Sequence, residues 1–403
     1  MTQNIIGTSN PEAQFLHLSK LNWQWNKIQK EEFQSRIDKA CKLMKQHDMK
    51  AVYLHAGTNL YYFTGMKWGS SERMVGALLT ADGDLHFIAP QFEYGTVREY
   101  MLIEGQMHCW QEHESPYELF ATILKVEDID ESKIGLDESC PFFITDGLTQ
   151  SNPLVNFCNA KAITAGCRMY KSANEISIMQ TAMDMTMEVQ KSAARILRTG
   201  ISVREMTAFI DEAHKACGAA SGSYFCIVLF GVDSSFPHGV RQPHDLQEND
   251  VVLIDTGCQL NGYISDITRS YVYGAISDDV RSIWNIEKSL QLKAFSAAQI
   301  GLPCSGIDHS VRVLLSSNGL GPDYQMPGTP HRTGHGIGLD IHEWPYIVNN
   351  EDTLLATGMT FSIEPMICVP DQYGIRLEDH VYITEDGPQW FTNPAKSIDE
   401  PFG

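Results

Sequence analysis

The twenty residues VVLIDTGCQLNGYISDITRS, 251 to 270, restrict this chain more than any other stretch. Val251 to Ile254 form an apolar run that ends on Asp255, and Asn261-Gly262 turns the chain back through Tyr263 and Ile264 to Asp266. An apolar run closed by an Asn-Gly dipeptide predicts a hairpin of two half-buried strands. With Asn261 and Gly262 as the loop, Asp255 faces Thr268 and lies diagonal to Asp266 on the same face, within about 7 to 8 Å between backbones. Two carboxylates then point into one apolar place, and burying them side by side is costly without a cation. The hairpin alone also fits a plainer reading, in which Asp255 caps the strand end and Asp266 pairs with Arg269.

The surrounding chain follows one plan twice. A helical stretch from about Ser172 to Leu197 breaks at Gly200, a second helix covers Ser202 to Cys217, and strand-like FCIVLFG (225–231) and His238-Gly239 lead into the hairpin. The plan then restarts at Ser277, the N-cap of a helix with Val280, Ile283, Trp284 and Leu290 on one side, ended by Gly301 and Pro303. A second helix over about Gly306 to Ser317 leads to a histidine-rich loop and two further strands, MTFSIEPMICV (359–369) and IRLEDHVYIT (375–384). Glu364 and Glu378 oppose each other if the intervening turn centres near Asp371. Two facing halves therefore bring four carboxylates to one point, which in a dry cleft requires something like two divalent cations. In PHRTGHGIGLDIHEWP (330–345), His331, His335 and His342 alternate with small residues, and glycines at 334, 336 and 338 let backbone approach closely. A lone histidine is an ordinary hydrogen-bonded residue; three in twelve positions before an acid-bearing strand favour a metal site.

At 403 residues the chain predicts two domains, 1–166 and 167–403. In the first, residues 31–49 form an amphipathic helix, AVYLHAG (51–57) a buried strand, NLYYFTGMKW (59–68) a turn, and VGALLTADGDLHFIAP (75–90) an Asp-Gly hairpin. No nucleophile motif, phosphate loop or ligand cluster occurs there, which suggests a scaffold or substrate-gating role. With 30 basic and 50 acidic residues the net charge of −20 argues against nucleic acid and anionic membrane as partners. No apolar run reaches the roughly 20 residues of a membrane span, and the start MTQNIIGTSNPEAQF lacks a basic, greasy leader, so a cytoplasmic location is expected. Ten cysteines without a CxxC pair predict reduced thiols.

The motifs VLIDTG with SDITR, TGHGIGLDIHE, SIEP and RLED resemble the signature of the pita-bread metallopeptidases, the family of methionine aminopeptidase, prolidase, aminopeptidase P and creatinase. The likeness covers about 170–390, and the first 165 residues resemble the N-terminal domain that prolidase, aminopeptidase P and creatinase share. It implies an α+β fold, with a duplicated pita-bread domain behind a smaller creatinase-type α/β domain. By position it makes Asp255, Asp266, His335, Glu364 and Glu378 ligands of two divalent ions, with Asp266 and Glu378 bridging. Oxygen-rich ligation with one imidazole suits Mn2+, and Co2+, Fe2+ or Zn2+ also fit. The resemblance further implies a metal-bridged hydroxide as nucleophile, with Glu364 as proton shuttle. His238 and His342 would hold the scissile peptide and its oxyanion, and His331 and Arg376 would line the pocket of proline-specific members. Outside the family, Arg376 reads as a surface partner of Glu378 or Asp379, and His380 reads as structural.

The activity implied is hydrolysis of Xaa-Pro bonds in small peptides with proline at the second position, as dipeptidase or aminopeptidase, in a homodimer. The alternatives are a non-peptide hydrolase or lyase on the same centre, acting on a cyclic amidine, phosphoester or sulfonium substrate, and an inactive binding module. Creatinase lacks the ligands, all of which are present here. The sulfonium lyases carry an acid two residues beyond the first aspartate, where this chain has Gly257.

Overall fold

The computed structural model describes residues 5–403. They form two compact units, Ile28–Arg168, and the segment up to Lys27 together with Met169–Gly403. In the first, β1 (Ala51–His55), β2 (Gly76–Thr80), β3 (Leu85–Pro90), β4 (Gln106–Trp110), β5 (Lys133–Leu136) and β6 (Asn156–Asn159) make one sheet in the order β4-β3-β2-β1-β5-β6. β1, β2 and β3 are successively antiparallel, β2 turning into β3 at Asp82-Gly83, and β4, β5 and β6 lie parallel to their neighbours. Helices fill the connections these parallel pairs need, and Tyr53, Phe120, Leu124, Ile134 and Leu148 form the core.

Two expectations are corrected here. Within residues 59–68, read as a turn, the chain up to Thr64 belongs to the helix Thr58–Thr64. Gly65 ends it in the left-handed region at φ 74°, its N–H donating to the Tyr61 carbonyl at 2.8 Å, a glycine cap that the aromatic run disguised. Residues 5–27, assigned to the N-terminal domain, belong to the second unit. The helix Pro11–Leu18 lies there because Phe15 stacks on Phe209 at 5.1 Å and Gly7 N–H donates to the Ala194 carbonyl at 3.0 Å.

The second unit carries the duplication. Helices Ala173–Arg195 and Val203–Cys217 each start with a capping box, Ser172 with Glu175 and Ser202 with Glu205. They precede β7 (Ser223–Phe230), β8 (Val251–Leu260), β9 (Tyr263–Ile264) and β10 (Ile267–Val272). In the second half, helices Asp278–Ala297 and Cys304–Ser317 precede β11 (Gly334–Gly336), β12 (Glu343–Ile347), β13 (Thr360–Ile363), β14 (Met366–Val369), β15 (Tyr373–Arg376), β16 (Asp379–Thr384) and β17 (Gly387–Trp390). One sheet runs β10-β8-β7 with β9 on β8; a second runs β12-β11-β13-β16-β17; β14 and β15 pair with each other. Leu290, Ala294, Val311 and Leu315 of the second helix pair pack on Phe361, Ile363 and Val381 of the sheet.

The first hairpin has the register the Asn-Gly turn dictates, with Leu260 opposite Tyr263 and Asp255 opposite Thr268. In the second pair, Ile363↔Asp379 and Met366↔Arg376 place Glu364 across from Glu378 about a turn at Asp371, whose φ is 60°. The strands expected to run unbroken over 359–369 and 375–384 are each interrupted at their acid. Pro365 has no N–H to give to a ladder. Glu364 N–H donates instead to the Thr333 carbonyl at 2.9 Å, and Glu378 N–H to the Thr268 carbonyl at 3.1 Å. Those two bonds stitch the second hairpin to the histidine loop and to β10.

Candidate metal centre

The two hairpins meet at a buried cluster. Ligand atoms of Asp266, His335 and Glu378 all lie within 4.8 Å of one another. His335 Nε2 is 3.1 Å from Glu364 Oε1 and 3.8 Å from Asp266 Oδ2, while Asp255 lies beside them, held at Oδ2 by Arg376 Nη2. Asp266 is 4% and Glu378 1% exposed. All five residues singled out by sequence are thus gathered in one place.

Local bonds orient them. Asp266 occupies the break between β9 and β10, where Ser265 Oγ accepts from Cys258 N–H at 2.8 Å and lies 2.8 Å from Thr186 Oγ1. Ser362 Oγ accepts from His335 N–H at 2.9 Å and donates to Glu364 Oε1 at 3.1 Å, fixing imidazole and carboxylate together. His335 Nδ1 lies 3.0 Å from the Gly336 carbonyl, a contact that requires the proton on Nδ1. Nε2 of the neutral ring then turns a lone pair toward carboxylate oxygens.

A cation resolves that clash, and other features fit one. Asp255 Oδ1, Asp266 Oδ1 and Glu378 Oε1 are buried without a hydrogen-bond partner among the described residues, a state that costs a buried polar atom about 1–3 kcal/mol, more when charged. Burial pushes Asp266 well above the ordinary carboxylate range, reinforced by Glu378, Asp255 and Glu364. Glu378 is raised in the same way, by burial and then by Glu364 and Asp255. Glu364 goes the other way: burial pushes it up, but where no cation takes the Nε2 lone pair a protonated His335 ring donates to it and outweighs that. Against four acids the cluster has one guanidinium, Arg376, which burial opposes but its carboxylate neighbours keep charged. Such a set of oxygens with one imidazole suits a hard or borderline divalent ion.

Outward from the cluster opens a cavity of about 440 Å³ whose wall includes His238, His331, His342, Glu364 and Arg376. His238 and His342 are exposed, and His331 is half-buried. His331 Nδ1 lies 2.7 Å from the Arg332 carbonyl, while its Nε2 has no partner; burial holds this ring below its ordinary value, with Glu364 pulling the other way. Two plainer readings are corrected. Arg376 is no surface residue, being 3% exposed and bonded to Asp255 and, through Nε, to Thr268 Oγ1 at 3.0 Å. Arg269 pairs with Asp379 at 2.6 Å, both fully buried, so Asp266 is left for the cluster. His380 is fully buried, its ring centroid 6.1 Å from that of His335.

Two residues escaped the sequence reading. Thr268 Oγ1 donates to Glu378 Oε2 at 2.8 Å while accepting from Arg376 Nε, so one hydroxyl links the two hairpins; its place opposite Asp255 was the available signal. Arg332 also lines the cavity, and its neighbour His331 drew the attention.

Comparison with known proteins agrees with this geometry. The family model of metallopeptidase family M24 matches residues 177–385, and that of the creatinase/prolidase N-terminal domain matches 36–170. The chain is 31% identical to a putative dipeptidase, YkvY, of Bacillus subtilis over 90% of its own length and 99% of that protein's. It is 28% identical to the Xaa-Pro dipeptidase of Pyrococcus furiosus over 90% and 99% of the two chains. The crystal structure of dipeptidase PepE from Mycobacterium ulcerans superposes with a TM-score of 0.85 at 29% identity, covering 91% of this chain and 97% of that one. With its duplicated fold behind a creatinase-type domain and its buried carboxylate–histidine cluster, the chain belongs to metallopeptidase family M24.

Proposed function

We propose that the chain hydrolyses Xaa-Pro bonds at a free N-terminus, using two divalent ions, Mn2+ by preference, held by Asp255, Asp266, His335, Glu364 and Glu378. The observation that carries this reading is the buried cluster of acids around His335, opening into a cavity large enough for a small peptide. Proline specificity is supported by the P. furiosus relative, named for that activity.

Bound there, divalent ions would acidify a water and polarise the scissile carbonyl. The chain's own groups do the rest. Glu364, on the cavity wall and tethered by Ser362, takes a proton from the attacking water and returns it to the departing proline nitrogen. That delivery matters because an Xaa-Pro bond is a tertiary amide without an N–H to grip. His238 and His342 stand on the open side, where they can hold the carbonyl oxygen as charge develops on it. Arg376 fixes Asp255 and, through Thr268, Glu378. Gly257 argues against the sulfonium-lyase alternative: a Cβ there would lie 1.6 Å from the Ser265 carbonyl oxygen, so no acid is accommodated. Homodimeric assembly, expected from the resemblance, is checked by sedimentation.

The test is incubation of protein loaded in turn with manganese, cobalt and zinc with Gly-Pro, Ala-Pro and Ala-Pro-Ala. Release of proline or of Pro-Ala is expected, and Glu364→Gln should lower kcat by roughly 10²–10⁴-fold. Intact peptides under all three metals contradict the reading.

A further inference from the structure

Asp266 and Glu378, the acids that the two-ion reading shares between the ions, are each bracketed in the chain by bonds to buried polar side chains. In the first half, Thr186 and Gln190 stand one turn apart on one face of the helix Ala173–Arg195. Thr186 Oγ1 lies 2.8 Å from the Oγ of Ser265, the residue before Asp266. Gln190 Nε2 donates to the carbonyl of Ile267, the residue after it, at 2.9 Å, and to that of Ile254, the residue before Asp255, at 3.0 Å. In the second half, Gln291 of the helix Asp278–Ala297 brackets Glu378 alone: its Nε2 donates to the Leu377 carbonyl at 3.2 Å and to Asp379 Oδ2 at 2.9 Å. The duplication thus sets a glutamine on the first helix of each half against the backbone beside an acid.

The side chain suits that task. A primary amide nitrogen carries two N–H donors, so it ties two acceptors at once. It is also neutral, and leaves the charge of the neighbouring carboxylates for cations. Thr186, Gln190 and Gln291 are fully buried and none lines the cavity, so any effect on the centre passes through the acids. The orientation of the Gln190 amide is fixed, because turning it over would set its oxygen against two carbonyl oxygens. Its Oε1 is then left without a partner among the described residues, a cost to the fold that an apolar side chain of similar size would avoid. Helices are rigid supports, and groups tied to them keep their places closely.

We infer that Thr186, Gln190 and Gln291 are positioning residues that hold Asp266 and Glu378 in register with each other, and that binding of the second divalent ion depends on them. The inference rests on the two-ion reading above and adds which residues outside the cluster make a pair of ions possible.

The experiment is calorimetric titration of the metal-free full chain with manganese, with electron paramagnetic resonance of the loaded protein to tell a coupled pair from isolated ions. It compares wild type with Gln190→Met, Gln291→Met and Thr186→Val, which remove the bonds at little change of volume. Val189→Ala is the control, a fully buried neighbour in the same helix whose truncation removes volume but no hydrogen bond. Wild type should bind two coupled ions. Each bracket variant should bind the second ion roughly 10- to 100-fold more weakly and show the spectrum of isolated ions, while Val189→Ala keeps the pair. Wild-type affinity for both ions in any folded bracket variant, or an equal loss in Val189→Ala, overturns the inference; nearly isosteric Thr186→Val keeps it testable if a glutamine variant does not fold. Fewer than two ions in wild type contradicts the two-ion reading instead. Hydrogen exchange of the metal-free proteins then decides the brackets alone. Faster exchange around Asp266 in Gln190→Met and around Glu378 in Gln291→Met, absent from Val189→Ala, supports them, and unchanged exchange overturns them.

Discussion

At the scale of single residues, the site depends on groups that serve two neighbours at once. Thr268 gives its one hydroxyl proton to Glu378 and its lone pair to Arg376, which in turn holds Asp255. Residues that orient metal-binding side chains are worth about 10–100-fold in metal affinity. Thr268→Val, nearly isosteric, is therefore expected to weaken manganese binding by that factor while leaving the circular dichroism spectrum unchanged; calorimetric metal titration checks it. Equal affinity would show that Arg376 and Glu378 hold their places unaided. The four acids and one histidine of the cluster were legible in the sequence because they sit near turn, glycine or proline signals. Thr268 was not, since its two bonds come from cross-strand register, which spacing along the chain does not encode.

At the scale of elements, the breaks in the strands matter as much as the strands. Gly257 lies where the first hairpin bends toward Asp266, with the Ser265 carbonyl where a Cβ would be. Gly257→Ala is expected to cost about 3 kcal/mol by forced overpacking, measured by urea unfolding; a change within error would mean that the bend relaxes freely. Behind the same bend, His214 of the helix Val203–Cys217 is fully buried, Nε2 lying 3.1 Å from Thr186 Oγ1 and Nδ1 2.8 Å from Ser223 Oγ. Burial lowers this imidazole from 6.5 to about 4, with Asp211 pulling the other way. The unfolded chain thus takes up the proton first as pH falls, so the neutral buried ring stabilises the fold fully above pH 6.5 and progressively less down to pH 4. The loss amounts to about 3 kcal/mol. Unfolding at pH 7 and pH 5 should show wild type losing more stability than His214→Gln; equal losses would place the acid sensitivity elsewhere. Helix ends were legible through Ser172 and Ser202, whereas the interruptions at Glu364 and Glu378 were not, because backbone bonds to Thr333 and Thr268 from distant segments cause them.

At the scale of the whole molecule, repetition explains the chemistry. Neither hairpin alone carries more than two of the four acids, and the duplication sets one against the other so that buried acids of both halves share a single guanidinium. The repeated plan was visible in sequence as a recurring order of helix, glycine break, helix and acid-bearing strands. The placement of residues 5–27 was not, since it depends on the stacking of Phe15 on Phe209, nearly two hundred positions away. On the proposed reading, these acids converge because cations hold them. Anomalous diffraction from a crystal grown with manganese should then show two metal peaks enclosed by Asp255, Asp266, His335, Glu364 and Glu378; a map without a peak there, or with these side chains turned apart, would contradict that reading.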